Sequence, residues 1–414
     1  MKILEIDFET LGRVKIGGPT GVGLFNYATH PWTRVSMMGY RLNPAERVQL
    51  WEPDLEPMPL SVKEALLDPV VPLMSFNSAF ERYILKYKLG YGIPAERFID
   101  PQVACRYLSI PPDLATCCEV LGLPDHLKKD ARGEDLITLF CEPIPTKVSK
   151  KNPFPEIRFN DRKSHPAEWD LFRQYCMRDV EAEAEVLRRC ELLGAWPMSD
   201  FERKVWVFDQ KVNDRGMPVD LVFVDNALAL AERAKEDALK EQNAITGLTN
   251  SNSRDQLLPW AKARGYTYNT LNKTFVEAAL GDTDMQLTQE CRQVLTRRLS
   301  AASTSYTKLK AIKRHVCNDN LLRNQFIYLG SSRCGRWSGS AVQLHNLPRP
   351  THPKKVKGAD FEDFDTLADA RRLVYANDYD GILAKYGNVL EVIKSLIRSS
   401  FVAPGAQYER RSSV

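Results

Sequence analysis

The chain has 414 residues, 43% of them hydrophobic and 27% charged, with a net charge of +4. That balance belongs to a folded globular protein of two or three domains and excludes a disordered, collagenous or coiled-coil chain. No apolar run reaches the roughly 18 residues of a membrane span, so no membrane partner is expected. Acids at Glu5 and Asp7 interrupt the apolar segment that a secretory leader needs. Nine scattered cysteines without a C-x-x-C pair suggest neither a zinc site nor a disulfide framework. Free thiols in a chain of this size fit a reducing compartment, and the cytoplasm is the expected location.

Leu4, Ile6 and Phe8 alternate with Glu5, Asp7 and Glu9. Period two predicts a first strand with one buried face. A second strand is expected over Val35–Leu42. A third apolar run, Val70–Phe76, ends at Asn77-Ser78, natural helix caps, before a helix through Phe80, Tyr83, Ile84 and Tyr87. Strands followed by helices predict an α/β domain. Pro143 to Pro166 lacks an apolar period and reads as a surface loop. A helix follows over Glu168–Leu193, with Phe172, Tyr175, Cys176, Val186, Cys190 and Leu193 in one stripe and Asp179 on that stripe. Ala195-Trp196-Pro197 breaks the pattern.

Phe201 to about Ala311 keeps helical spacing, interrupted by a turn at Gly216–Asp220. Short strands and Gly/Ser-rich turns are expected over Phe326–Asn346, then a helix around Asn388–Ser400. The charge is uneven. Asp319 is the only acid between Arg292 and Lys357, against a long series of lysines and arginines. Such a block is either a solvated basic face or the contact for a polyanion.

Asp7 and Glu9, two apart on a strand, emerge on one face roughly 7 Å apart. Both can reach one metal ion or a close pair. Asp179 lies on an apolar helix face, where an unpaired charge is costly, so a cation is its simplest partner. Tyr175 sits one turn before it, and its hydroxyl points into the same space. Glu81 opens the helix after the third strand. Taken singly, each feature is commonly a solvated surface. Their order changes the weighting. Asp7-Phe8-Glu9-Thr10, Phe76-Asn77-Ser78-Ala79-Phe80-Glu81 and Tyr175-Cys176-Met177-Arg178-Asp179 together resemble the three motifs of DEDD-type 3′–5′ exonucleases, in the tyrosine variant.

The resemblance implies an RNase H-like fold and two Mg²⁺ or Mn²⁺ ions. It implies that Asp7 bridges them, that Glu9 and Asp179 hold the first, and that Glu81 reaches the second through water. Tyr175 would orient the attacking water, and Asn77 and Phe80 would shape the pocket for the terminal nucleotide. One departure is Glu81, since that motif more often carries Asp.

The second half holds Gly330-Ser331-Ser332-Arg333-Cys334-Gly335-Arg336-Trp337-Ser338-Gly339 and Val342-Gln343-Leu344-His345-Asn346-Leu347-Pro348-Arg349. By chemistry alone this is a basic, turn-rich segment suited to phosphate and sugar contacts. It looks like the palm segments of family A DNA polymerases, closest to bacteriophage-type members, with Cys334 in place of the common Thr. Asp214-Arg215-Gly216, Asn252–Leu257 and Ser305-Tyr306-Thr307-Lys308-Leu309 are similar to that family's helical thumb. The resemblance covers nearly the whole chain. It implies an exonuclease domain over 1–197, a thumb over 198–325 and an incomplete α+β palm over 326–414. DNA is then the expected partner, as a 3′ single-stranded end and as primer-template duplex, met by Lys308, Lys310, Arg333, Arg336, Asn346 and Arg349. The expected setting is a bacterial or phage-infected cell.

After Leu396–Pro404 the family continues into a strand bearing the first polymerase carboxylate, and 405–414 carries no such strand. Polymerisation is therefore not expected of this chain alone, because phosphoryl transfer needs those metal-binding acids. The expected activity is metal-dependent removal of 3′-terminal nucleotides. The rival readings are a non-catalytic DNA-binding half that joins a separate palm-fingers chain, and a decayed remnant.

Overall fold

The computed structural model describes residues 2–128, 132–146, 156–301, 304–331, 333–349 and 364–403. The middle of the expected surface loop (147–155), Ser332, Lys354, Lys355, Lys357, the tail 404–414 and the side chain of Ser305 lie outside them. The chain divides into two compact units. One joins Met1–Gly216 to Arg323–Gln343, and the other joins Met217–Leu322 to Leu344–Val414.

The first unit runs β1 (Leu4–Leu11), α1 (Leu24–Thr29), β2 (Arg34–Arg41), β3 (Gln49–Trp51), α2 (Leu60–Leu67), β4 (Leu73–Met74) and α3 (Ala79–Lys88). It continues with β5 (Phe98–Ile99), α4 (Pro101–Tyr107), α5 (Leu114–Val120), α6 (Gly133–Cys141), α7 (Pro166–Leu192) and α8 (Asp200–Arg215). The five strands form one mixed sheet in the order β3-β2-β1-β4-β5. β1 pairs antiparallel with β2 and parallel with β4. The α/β class expected from the sequence holds.

β1 departs from its expectation. Its alternation predicts one buried face, yet Leu4, Ile6, Glu5 and Glu9 are all buried. β1 is the middle strand, and α7 packs against it and against β2, so no side is left to solvent. Glu5 tolerates this position because Arg41, its cross-strand neighbour on β2, forms an ion pair with it. The run Val70–Phe76 contributes only the two-residue β4. The Asp68 carboxylate accepts the Val70 N–H at 2.9 Å and turns the chain before it can pair.

Ser78 occupies the N-cap position of α3 but does not cap it. Its hydroxyl donates to Asp100 at 2.9 Å, and Asp100 also accepts the N–H groups of Asn77 and Ser78 at 3.0 and 2.9 Å. These bonds hold Asn77 at a φ of 61°, a left-handed turn that asparagine accepts more readily than most residues. α7 starts on Pro166, whose missing N–H costs nothing in a first turn. Its buried face carries Phe172, Tyr175, Cys176, Asp179, Glu183, Val186 and Cys190, whereas Leu193, in the predicted stripe, is exposed. Gly39 on β2 lets this helix lie close. A Cβ there would stand 3.0 Å from both the Cys176 carbonyl oxygen and Val180 Cγ2.

The second unit is mainly helical: β6 (Met217–Pro218), α9 (Leu221–Thr246), α10 (Arg254–Lys262), α11 (Lys273–Gly281), α12 (Gln289–Ala301), α13 (Thr304–His315) and β7 (Leu321–Leu322). It closes with α14 (Phe364–Tyr375), α15 (Tyr379–Tyr386) and α16 (Val389–Leu396). Leu257, Tyr266, Val276, Cys291, Val294 and Leu295 form one core of this unit. α16 buries Val389, Leu390, Ile393 and Leu396, as its spacing predicts.

The basic block is not the unbalanced stretch that its own sequence suggests. Acids on α9 meet several of its cations: Glu241 faces Arg297 at 2.7 Å, Asp225 faces Lys313 at 2.7 Å and Glu232 faces Lys310 at 3.9 Å. Arg292 is spent on structure, donating to the carbonyls of Leu280, Asp282 and Met285.

Residues 323–343 return to the first unit as β8 (Phe326–Ile327) and β9 (Ser338–Gly339), an antiparallel pair beside α8. The Asn213 amide donates to the Phe326 carbonyl and accepts the Phe326 N–H, both at 3.0 Å. Trp337 Nε1 donates to Asp209 at 2.8 Å. These bonds explain why α8 buries Asp209 and Asn213, which lie with Trp206 on its inner face, while Phe208 is exposed even though Val205, Phe208 and Val212 keep helical spacing.

Candidate metal centre

Asp7 stands mid-strand on β1, opposite Gly39 of β2. Two residues on, Glu9 returns to the same side, and α7 lays Asp179 over both. One carboxylate oxygen from each of Asp7, Glu9 and Asp179 lies within 4.8 Å of the others. Residues far apart in sequence thus converge on one point because the middle strand and the longest helix of the unit cross there. Three carboxylates so close repel one another strongly in a low-dielectric setting, and a hard divalent cation is the natural counter-charge for an all-oxygen donor set.

Tyr175 lies one turn before Asp179 on α7 and hydrogen-bonds it. Burial, then the charges of Asp179, Glu9 and Asp7, push its phenol well above its usual range, so it keeps its proton. The ring is wedged against α6, where a Cβ on Gly133 would meet Tyr175 Cε2 at 2.4 Å.

Glu81, expected at the edge of the sheet, is buried instead, since α3 packs against β1 and β2. It stands outside the three-acid group, but burial and the charge of Asp7 hold its carboxyl well above the usual range. Asn77 and Phe80 flank it on the turn and first turn of α3, and the Phe80 ring lies 6.4 Å from that of Tyr27.

The expected duplex-contacting residues do not fall in one unit. Arg333 and Arg336 belong to the first and are exposed; Lys308, Lys310, Asn346 and Arg349 belong to the second. The segment read as one stretch, 330–349, divides after Gln343.

Three further buried residues belong to this site: the sequence puts Cys176 on the apolar stripe without a role, and assigns Asp100 and Glu183 none. Cys176 accepts the Gly39 N–H at 3.2 Å and lies 3.8 Å from an Asp7 carboxylate oxygen. Asp100 organises the turn before Glu81. Glu183 follows Asp179 by four residues on the same face of α7, and burial together with Asp7, Glu81 and Asp179 holds its carboxyl well above the usual range. The i, i+4 spacing from Asp179 was the one available signal for it.

The chain is similar to a DNA polymerase of Bacillus phage SP02, with 30% identity over 404 residues, which is 97% of this chain and 58% of that protein. The chain thus spans well under two thirds of that relative's length. Among solved structures, the POL domain of Pol1 from M. smegmatis in complex with DNA primer-template and dNTP aligns with a TM-score of 0.48 at 13% identity. That alignment covers 84% of this chain and 53% of the other. No protein-family model matches. Among the described residues, no helix is long and apolar enough to cross a membrane.

Proposed function

We propose that this chain, a relative of a phage DNA polymerase over almost all its length, acts on DNA in replication and carries a 3′–5′ exonuclease that removes 3′-terminal nucleotides. The observation that carries this reading is the convergence of Asp7, Glu9 and Asp179 within 4.8 Å, with the Tyr175 hydroxyl against them. Residues 1–197 are then the RNase H-like exonuclease domain, 198–325 the thumb and 326–414 the palm of a family A polymerase. The mixed sheet with acids on its middle strand supports the first of these assignments. The compact units cut across the divisions, since α8 and 323–343 pack with the first unit.

The donor set suits Mg²⁺ or Mn²⁺, with Asp7, Glu9 and Asp179 at one ion and Asp7 and Glu81 toward a second. When bound, such ions supply an activated water and charge stabilisation at the leaving 3′ oxygen. The protein's own residues do the rest. Asp7, Glu9 and Asp179 are held rigidly by β1 and α7. Tyr175 keeps its proton and donates it in a hydrogen bond to Asp179, so its oxygen can accept a hydrogen bond from a water and fix that water's orientation in line with the terminal phosphodiester. Asn77 and Phe80 border the site where the terminal nucleotide is received.

The direct test is degradation of a 3′-labelled single strand with and without EDTA. Metal-dependent release of mononucleotides from the 3′ end is the expected result, and no release under any divalent ion sinks the reading. Glu81→Asp should stay active, because the shorter acid is the commoner residue of the motif; complete inactivation would show that the site is built around the longer arm.

DNA binding by the second unit has its own measure. Lys308→Ala should lower the slope of log affinity against log salt by about one unit without changing sequence preference. Lys310→Ala should lower it less, since Glu232 already faces that ammonium. Equal slopes for both variants and the parent would remove these lysines from the interface.

A further inference from the structure

Beside the three-acid group lie two further buried carboxylates, each with one oxygen that no group among the described residues satisfies. Glu81 on α3 is 2% exposed, Glu183 on α7 is 3% exposed, and Ser75, directly after β4, is fully buried. Glu81 Oε2 and Glu183 Oε2 are each buried without a hydrogen-bond partner, and the Ser75 hydroxyl lies against the Glu81 carboxylate. The Phe76 N–H, next in the chain to Ser75, bonds the Glu183 carboxylate, which ties α7 to this turn. Orphaned buried oxygens are individually costly. Glu81 acts on Glu183 through its charge, and Asp7 acts on both, so the two orphaned oxygens share one acidic, buried neighbourhood suited to a cation.

We propose that Glu183 is a ligand of a second divalent cation, which it shares with Glu81. This rests on the exonuclease reading above and adds to it a carboxylate that none of the three motifs contains. Two carboxylates match the charge of one divalent ion, and an all-oxygen set suits a hard cation. The Ser75 hydroxyl supplies a further neutral oxygen within the same turn.

The test is a titration of the full chain with Mn²⁺ alone, following free Mn²⁺ by electron paramagnetic resonance. The parent should bind two ions. Glu183→Gln keeps an acceptor for the Phe76 N–H but loses the charge, and should weaken the second ion at least about tenfold while sparing the first. The thermal shift produced by saturating Mn²⁺ should shrink in parallel. If the Gln variant does not fold, Glu183→Asp, which withdraws the carboxylate by one methylene, should show the same selective loss. Unchanged binding of both ions by the folded variant overturns the assignment and means that these acids are held by shared protons.

Asp7→Ala separates the two claims. Two ions in the parent, lost in Asp7→Ala and kept in Glu183→Gln, leave the exonuclease reading standing and remove only Glu183. A parent that takes up no Mn²⁺ overturns both.

Discussion

Asp7→Ala should leave no measurable degradation of a 3′-labelled single strand. The charge of Asp7 reaches both Glu81 and Glu183 and raises their carboxyls, and it adds to the effect of Asp179 and Glu9 on Tyr175. Removing it deletes the donor that both ions would share. The fold should survive. Without metal, the variant relieves repulsion among buried acids, so its melting temperature should equal or exceed that of the parent. Near-normal degradation by the folded variant would refute the assignment of the site.

Tyr175→Phe should slow hydrolysis by about 10²-fold, the scale of one positioned polar group, while Mn²⁺ binding stays intact. The hydroxyl bonds Asp179 but is assigned to the water, so metal affinity and rate should part company. A parallel loss of both would make Tyr175 a support for Asp179 alone. Gly133→Ala offers an independent approach to the same ring. A methyl group 2.4 Å from Cε2 must displace Tyr175, whose ring supplies all three of its nearest atoms. It should lower the rate in the same direction as Tyr175→Phe, and an unaffected rate would mean that the ring can move without consequence.

What the sequence revealed and what it hid follow from the range of the interactions concerned. Period two gave β1, and period 3.6 gave α7, because those periodicities are local. The pairing of Asp7 with Glu9 was legible from the pleat, and Tyr175 with Asp179 from the helical turn. Burial of the acidic side of β1 was not legible, since it depends on α7 returning across the sheet more than a hundred and fifty residues later. Glu183 was hidden for the same reason: on its helix it looks like one more acid in Glu181-Ala182-Glu183-Ala184-Glu185, and only the fold turns it inward while Glu185 meets Arg188 and Arg189. The basic block misled in the opposite sense. Its own window holds one acid, but the neutralising partners sit on α9, outside that window.

The division of the chain also bears on how the protein is made. A ribosome releases residues 1–216 long before 323–343, and until then Asn213 and Asp209 on α8 face solvent without the backbone and indole that bond them in the finished unit. The N-terminal unit therefore cannot close as it emerges. It must wait, with one helix incomplete, while the whole stretch 217–322, itself only part of the second unit, is synthesised. The second unit in turn needs residues from 344 onward, so neither unit is complete until the last stretches of the chain are made, and a nascent chain stalled near residue 216 would be an open substrate for chaperones and proteases.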